Sequence, residues 1–97
     1  IPLAGVYAVQ VLHSGQRYGG MANIGTNPTF GDVAKPRLET HIFDFNENIY
    51  GQEITVQFIA RIRGEVKFSS IEALTNQLAQ DKMACKHSLQ GYDEGEF

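Results

Sequence analysis

The stretch NIGTNPTF at positions 23–30, followed by RLETHIFDFNENIYG at 37–51, decides the reading of this chain. It sets a polar segment of Asn, Thr, Gly and Pro just ahead of a strand that carries a lone carboxylate, Glu39, among apolar neighbours. Leu38, Thr40 and Ile42 fall on one face of that strand, and Glu39, His41 and Phe43 on the other, because side chains alternate along an extended backbone. Pro28 lacks an amide donor and pushes Asn27 out of the α region, so residues 25–37 read mostly as loop. A polar loop beside a strand acid is a way for a small barrel to assemble a site for a small molecule.

Working outward, GVYAVQVL at 5–12 is rich in Val and Tyr and reads as a strand. Ser14-Gly15 supplies a turn, and residues 17–24 return beside it as a hairpin. Gly19 and Gly20 interrupt the second strand and point to a bulge or a close backbone approach. After a turn at 46–51, Ile54, Val56, Phe58, Ala60 and Ile62 line one side of a long strand, and Ile59 breaks its polar face. Ser69 followed by Glu72 reads as a capping box. It opens a helix of roughly 71–87 whose stripe of Ile71, Leu74, Leu78 and Cys85 packs on the barrel, with Gly91 ending the run. Residues 91–97 are expected to fray.

With 97 residues the chain is one domain with one core. Ten glycines and ten aromatics without Trp suit short strands and tight turns. A net charge of −3 argues against a broad grip on nucleic acid. Cys85 is the single cysteine, so neither an internal disulfide nor a cysteine-rich zinc cluster can form, and a reducing, cytoplasmic setting fits. No apolar run approaches the roughly 20 residues that span a bilayer, and the opening IPLAGVYAVQV reads directly as strand rather than as a targeting segment. The Ile-Pro start reads as a chain entered part-way through something longer.

The chemistry-bearing residues each admit two readings. Glu39 is either a surface carboxylate or a general base within reach of a hydroxyl proton. His41 shares its face and either orients a ligand or is a structural histidine. Asn23, Thr26, Asn27 and Thr29 either satisfy turn backbone or grip phosphate, a polyol or waters around magnesium. GQRYGG at 15–20 lacks the Lys-Ser/Thr tail and following helix of a phosphate-binding loop. Arg61, Arg63 and Lys67 lead into a helix N-terminus, which favours anions. His13, His41 and His87 share no ligand spacing, so no zinc or other protein-bound metal site is expected.

Taken together, GVYAVQV, ANIGTNPTF, LETHIFDFNENIYG and IARIRGEVKFSSIEALTNQLAQDKMA closely resemble the riboflavin kinase domain of bacterial riboflavin biosynthesis proteins, over about residues 3–87. The resemblance implies a mainly β fold, a small six-stranded antiparallel Greek-key barrel with a C-terminal α-helix. It implies transfer of the ATP γ-phosphate to the 5′-hydroxyl of riboflavin with Mg2+, giving FMN and ADP. Glu39 matches the family's catalytic base. Asn27 and Thr29 match the loop near the active site, and Lys67, Phe68 and Ser69 the flavin side of the pocket. Asn23 and Gly25 are the candidates on the nucleotide side. In the family a first strand and a Gly-x-Pro-Thr-Ala-Asn loop precede the matched residues, and an FMN adenylyltransferase module often stands ahead of the kinase. Both are implied partners of this chain. The rival reading is a flavin-binding or structural β-barrel without catalysis.

Overall fold

The computed structural model describes residues 3–27 and 35–93. Four strands, β1 (Gly5–His13), β2 (Gln16–Asn27), β3 (Lys35–Ile42) and β4 (Thr55–Arg63), precede one helix, α1 (Ile71–Asp93). The strands form one antiparallel sheet in the order β3-β2-β1-β4. The mainly β, antiparallel architecture with a C-terminal helix is as expected. Among the described residues the sheet has four strands rather than six, with β3 and β4 at its edges.

The β1–β2 hairpin turns at Ser14 and Gly15, whose φ angles of 50° and 77° are the left-handed pair that matches the twist of flanking strands. The β1–β2 register runs without a shift, including Gln10↔Gly19 and Val9↔Gly20. Of the two readings of the glycine pair, close approach therefore holds and a bulge does not. A Cβ on Gly20 would lie 2.8 Å from the His41 carbonyl oxygen, and one on Gly19 would lie 3.0 Å from Leu89 Cδ1. Bare backbone at these positions lets β3 close on one side and the helix on the other.

Irregularity falls instead on β4. Val6 pairs with Arg63 and Tyr7 with Arg61, leaving Ile62 extra; Ala8 pairs with Ala60 and Val9 with Phe58, leaving Ile59 extra. The expected row from Ile54 to Ile62 on one face is corrected by these two bulges, each of which reverses the side that follows it. Ile59, Ala60 and Ile62 join Val6, Ala8, Phe43, Cys85 and Leu89 beneath the helix. Val56 packs with Tyr7, Val9, Val11, Ala22 and Ile24 on the opposite face, where Phe58 meets Tyr7 edge-on at 5.1 Å. Val9 and Val11 are wholly buried, and such a side chain contributes about 1.5–3 kcal/mol of burial. Phe45 lies edge-on to Tyr18 and His13, and His13 hydrogen-bonds Gln52 at 2.6 Å, which ties the segment between β3 and β4 to the hairpin end.

The helix also departs from expectation. Ser70, not Ser69, is its cap: the Ala73 amide donates to Ser70 Oγ at 3.0 Å. The third helical position is then Ala73, so Glu72 cannot close a capping box. Gly91 lies inside the helix rather than after it. Ile71 is exposed and Leu74 and Leu78 are partly so, while Asp81, Cys85 and Leu89 are buried. The helix therefore docks through its later turns, and its first two turns stand off the sheet. Residues 94–97 of the expected frayed end lie outside the described residues, as does the Pro28-Thr29-Phe30 part of the loop. The loop itself is narrower than expected, since β2 runs to Asn27 and β3 begins at Lys35.

Candidate functional site

Where the first turns of α1 stand off the sheet, a cleft of about 410 Å³ opens between β2, β3, the segment after β4 and the helix. Its sheet wall is built by register. Asn23 lies directly opposite Glu39, and Met21 opposite His41, in the β2–β3 ladder. Strand alternation places Asn23, Gly25, Arg37, Glu39 and His41 on a common face. The facing wall comes from residues 63–78, with Arg63, Glu65, Val66, Phe68, Leu74 and Leu78 lining it. The cleft is amphipathic, with the Glu39 carboxylate and the Asn23 amide along the sheet and mostly aliphatic and aromatic groups along the helix side, where Arg63 and Glu65 add charge.

Glu39 accepts a hydrogen bond from Arg37 Nη2 at 2.9 Å, and both side chains are more than half exposed. Such a pair contributes little to stability and leaves carboxylate lone pairs for a ligand. His41 sets its ring edge-on to Phe43 at 5.6 Å while lining the cleft. Gly25 faces Glu65 across the rim, where an added Cβ would come within 3.0 Å of the Glu65 carboxylate.

Arg63 holds the facing wall. Its Nε and Nη2 donate to both carboxylate oxygens of Asp81 at 2.7–3.0 Å, Nη1 donates to the Gly64 carbonyl at 2.9 Å, and the guanidinium lies 5.7 Å from the centre of the Phe68 ring. Asp81 is 1% exposed and accepts a further hydrogen bond from Gln77 at 2.9 Å. Burial raises the Asp81 pKa, but the hydrogen bonds from Arg63 and Gln77 and the charge of Arg63 outweigh it and hold the carboxyl below its ordinary value. One turn further on, Cys85 is buried, and that burial, with the Asp81 charge beside it, raises its thiol to about 11.

Of the residues singled out in the sequence, Glu39, Asn23 and Phe68 meet in one cleft, and Gly25 sits at its rim. Lys67 and Ser69 are exposed neighbours of Phe68 that do not line it. The backbone of Asn27 pairs with Lys35 at the end of the ladder, and Thr29 lies outside the described residues. Sequence reasoning missed Asp81, although an acid on the stripe of Leu74, Leu78 and Cys85 was a signal, since an unpaired carboxylate does not persist in a core. Among the described residues no group of three or more His, Cys, Asp or Glu side chains could hold a metal ion, and no helix is long and apolar enough to cross a membrane.

Among the described residues, an antiparallel sheet packed by one helix, with a strand acid facing an aromatic-lined cleft, defines a β domain whose cleft has the size of a small molecule. The family model for flavokinase, riboflavin kinase, matches residues 1–89, and the chain belongs to the riboflavin kinase family. It is 45% identical over 86 residues to the bifunctional riboflavin kinase/FMN adenylyltransferase of Haemophilus influenzae, covering 88% of this chain and 28% of that protein. The Bacillus subtilis protein of the same description is 43% identical over 84 residues, covering 84% and 27%. Among solved structures, one described as a macrolide-efflux protein from Streptococcus pneumoniae aligns with a TM-score of 0.81 at 42% identity, over 89% of this chain and 28% of that one. The chain thus spans a little over a quarter of the proteins it matches.

Proposed function

We propose that this domain carries out the riboflavin kinase half of a bifunctional protein, moving the γ-phosphate of ATP to the 5′-hydroxyl of riboflavin to give FMN and ADP. The observation that carries the reading is the placement of the Glu39 carboxylate across from Asn23 on one wall, with Phe68, Leu74 and Leu78 on the other. A flavin has the matching halves: a flat apolar ring system for the helix side and a polyol chain for the sheet side. Glu39 is the general base that accepts the hydroxyl proton as the oxygen attacks phosphorus. Asn23 orients the polyol or a phosphate oxygen, and Gly25 beside it is proposed on the nucleotide side. Asn27, Thr29, Lys67 and Ser69 are proposed as outer contacts of the substrates.

ATP arrives with a divalent cation, for which we propose magnesium. Magnesium in such sites is held mainly by phosphates and water with at most one or two carboxylates. When bound, it supplies charge neutralisation at the phosphates. A neighbouring FMN adenylyltransferase module is the proposed consumer of the product, in the cytoplasm.

The test is chromatographic detection of FMN from riboflavin and magnesium-ATP with the full-length gene product. FMN formed by the wild type and lost in Glu39→Gln supports the reading. Riboflavin binding without FMN formation favours the non-catalytic flavin-binding barrel.

A further inference from the structure

The facing wall of the cleft has little structure of its own. Residues 64–68 belong to no helix or strand, and among the described residues no backbone–backbone hydrogen bond ties them to the rest of the domain. Yet Glu65, Val66 and Phe68 form a large part of the cleft lining. What fixes this segment is Arg63, through its bond to the Gly64 carbonyl and its approach to the Phe68 ring. Arg63 is in turn fixed by Asp81, 18 residues away in sequence and on the buried face of the helix.

We infer that Asp81 is a positioning residue for substrate binding: acting through Arg63, it holds the segment 64–68 in the form that makes the flavin-side wall. The inference rests on the riboflavin kinase reading. Asp81 does not line the cleft, so its effect reaches the ligand only through Arg63. A guanidinium fork held at two carboxylate oxygens has one orientation, and that orientation points Nη1 at Gly64. Without the carboxylate the fork is free to turn, and the segment must be ordered by the ligand at the moment of binding. Fixing even one additional residue at that moment is worth about tenfold in affinity.

The experiment compares Asp81→Asn with Cys85→Ala in the full-length gene product. Cys85 is fully buried one turn away on the same helix face and is not itself part of the cleft lining, so its truncation lowers stability while leaving the Arg63–Asp81 bonds in place. Three quantities are read: amide hydrogen exchange over 64–68, riboflavin affinity by fluorescence quenching, and the split between KM and kcat for FMN formation. Asp81→Asn is expected to speed exchange in 64–68, weaken riboflavin about tenfold and raise KM by a similar factor, with kcat changed by less than about twofold. Cys85→Ala is expected to lower the melting temperature with exchange in 64–68, affinity and KM unchanged.

If Asp81→Asn behaves like Cys85→Ala, the ion pair is packing alone and the inference is overturned. Should Asp81→Asn not fold, Gln77→Ala removes only the outer hydrogen bond to the carboxylate and must show the same pattern in weaker form; unchanged exchange and affinity there overturn the inference. Exchange is measured without ligand, so the two ideas fail separately. A wild type that never binds riboflavin, with faster exchange in Asp81→Asn, sinks the kinase reading and the substrate coupling but keeps the clamp.

Discussion

Asn23 and Glu39 are partners in the β2–β3 ladder, so the amide and the carboxylate that front the cleft stand side by side on neighbouring strands. Neither can move along its strand without breaking the register that also seats Ala22 and Ile24 in the core. Rigid placement of this kind is what a base needs, because proton transfer depends on a donor–acceptor separation held within a few tenths of an ångström.

Glu39→Gln keeps the shape of the side chain and removes the proposed base. With the fold intact, kcat for FMN formation is expected to fall by ~10²–10⁴, the usual scale for general-base loss. Riboflavin affinity should change little, since Gln still offers an oxygen acceptor. Steady-state kinetics beside a fluorescence titration make the check, and an unchanged kcat takes the base role away from Glu39.

Gly20 protects the same geometry. A methyl group there would press on the His41 carbonyl at 2.8 Å, a backbone atom that cannot rotate aside. Gly20→Ala should therefore shift β3 relative to β2 and cost about 1–3 kcal/mol, as overpacking generally does. Because Asn23 and Glu39 are spaced by that pairing, kcat should drop along with the urea midpoint. Normal stability and turnover in this variant would show that β3 moves without consequence.

Ser70→Ala removes the oxygen that accepts the Ala73 amide, and should cost about 0.5–2 kcal/mol, the scale of an N-cap. Ser69→Ala, one residue earlier and exposed, is expected to stay within about 0.5 kcal/mol of wild type. Paired denaturation curves decide between the two serines. A larger loss at Ser69 would return the cap to that position.

Much of this was legible in residue types and spacing. The Ser14-Gly15 turn, the alternation around Glu39 and the helix after the serine pair follow from rules that act within a few residues. The misreadings arose where distant parts of the chain compete. Nothing local announces that Ile59 and Ile62 are inserted residues, because a bulge is visible only against the partner strand. Leu74 and Leu78 resemble core residues at helical spacing, yet they line a cleft, because the helix docks on the sheet through Asp81, Cys85 and Leu89 further along. The Arg63–Asp81 pair joins two residues 18 positions apart; the place of Asp81 on the apolar stripe signals that it needs a partner, but nothing local says that the partner is Arg63.

The same pair should shape acid stability. The Asp81 carboxyl is held below its ordinary value near 3.8, so the unfolded chain binds its proton at a higher pH than the folded one. The stabilisation is therefore complete above that value and is lost as pH falls through the folded pKa. Wild type is expected to exceed Asp81→Asn in stability at pH 6, with the gap shrinking as pH drops below about 4. Chemical denaturation at several pH values makes the comparison, and a gap that stays constant would mean the charge of Asp81 does not contribute.

Cys85 should act at the other end of the scale. Its thiol is raised from an ordinary 9.0 to about 11 by burial and the nearby Asp81 charge. The folded protein thus keeps the proton at a pH where the unfolded chain has released it. That contribution is fully present below the ordinary value and is lost as pH rises toward 11, so stability should fall across this interval. Cys85→Ala has no thiol to ionise and should show a flatter alkaline limb from a lower starting stability, since a buried side chain is truncated. Two readouts fix the assignment: urea midpoints from pH 8 to 11, and the reaction rate of the native protein with a thiol reagent at pH 8. The native thiol is expected to react much more slowly than the unfolded one, because it is both buried and protonated. Equal rates in the two states, or the same alkaline slope in wild type and Cys85→Ala, would mean that Cys85 is open to solvent and that the helix does not seal this part of the core.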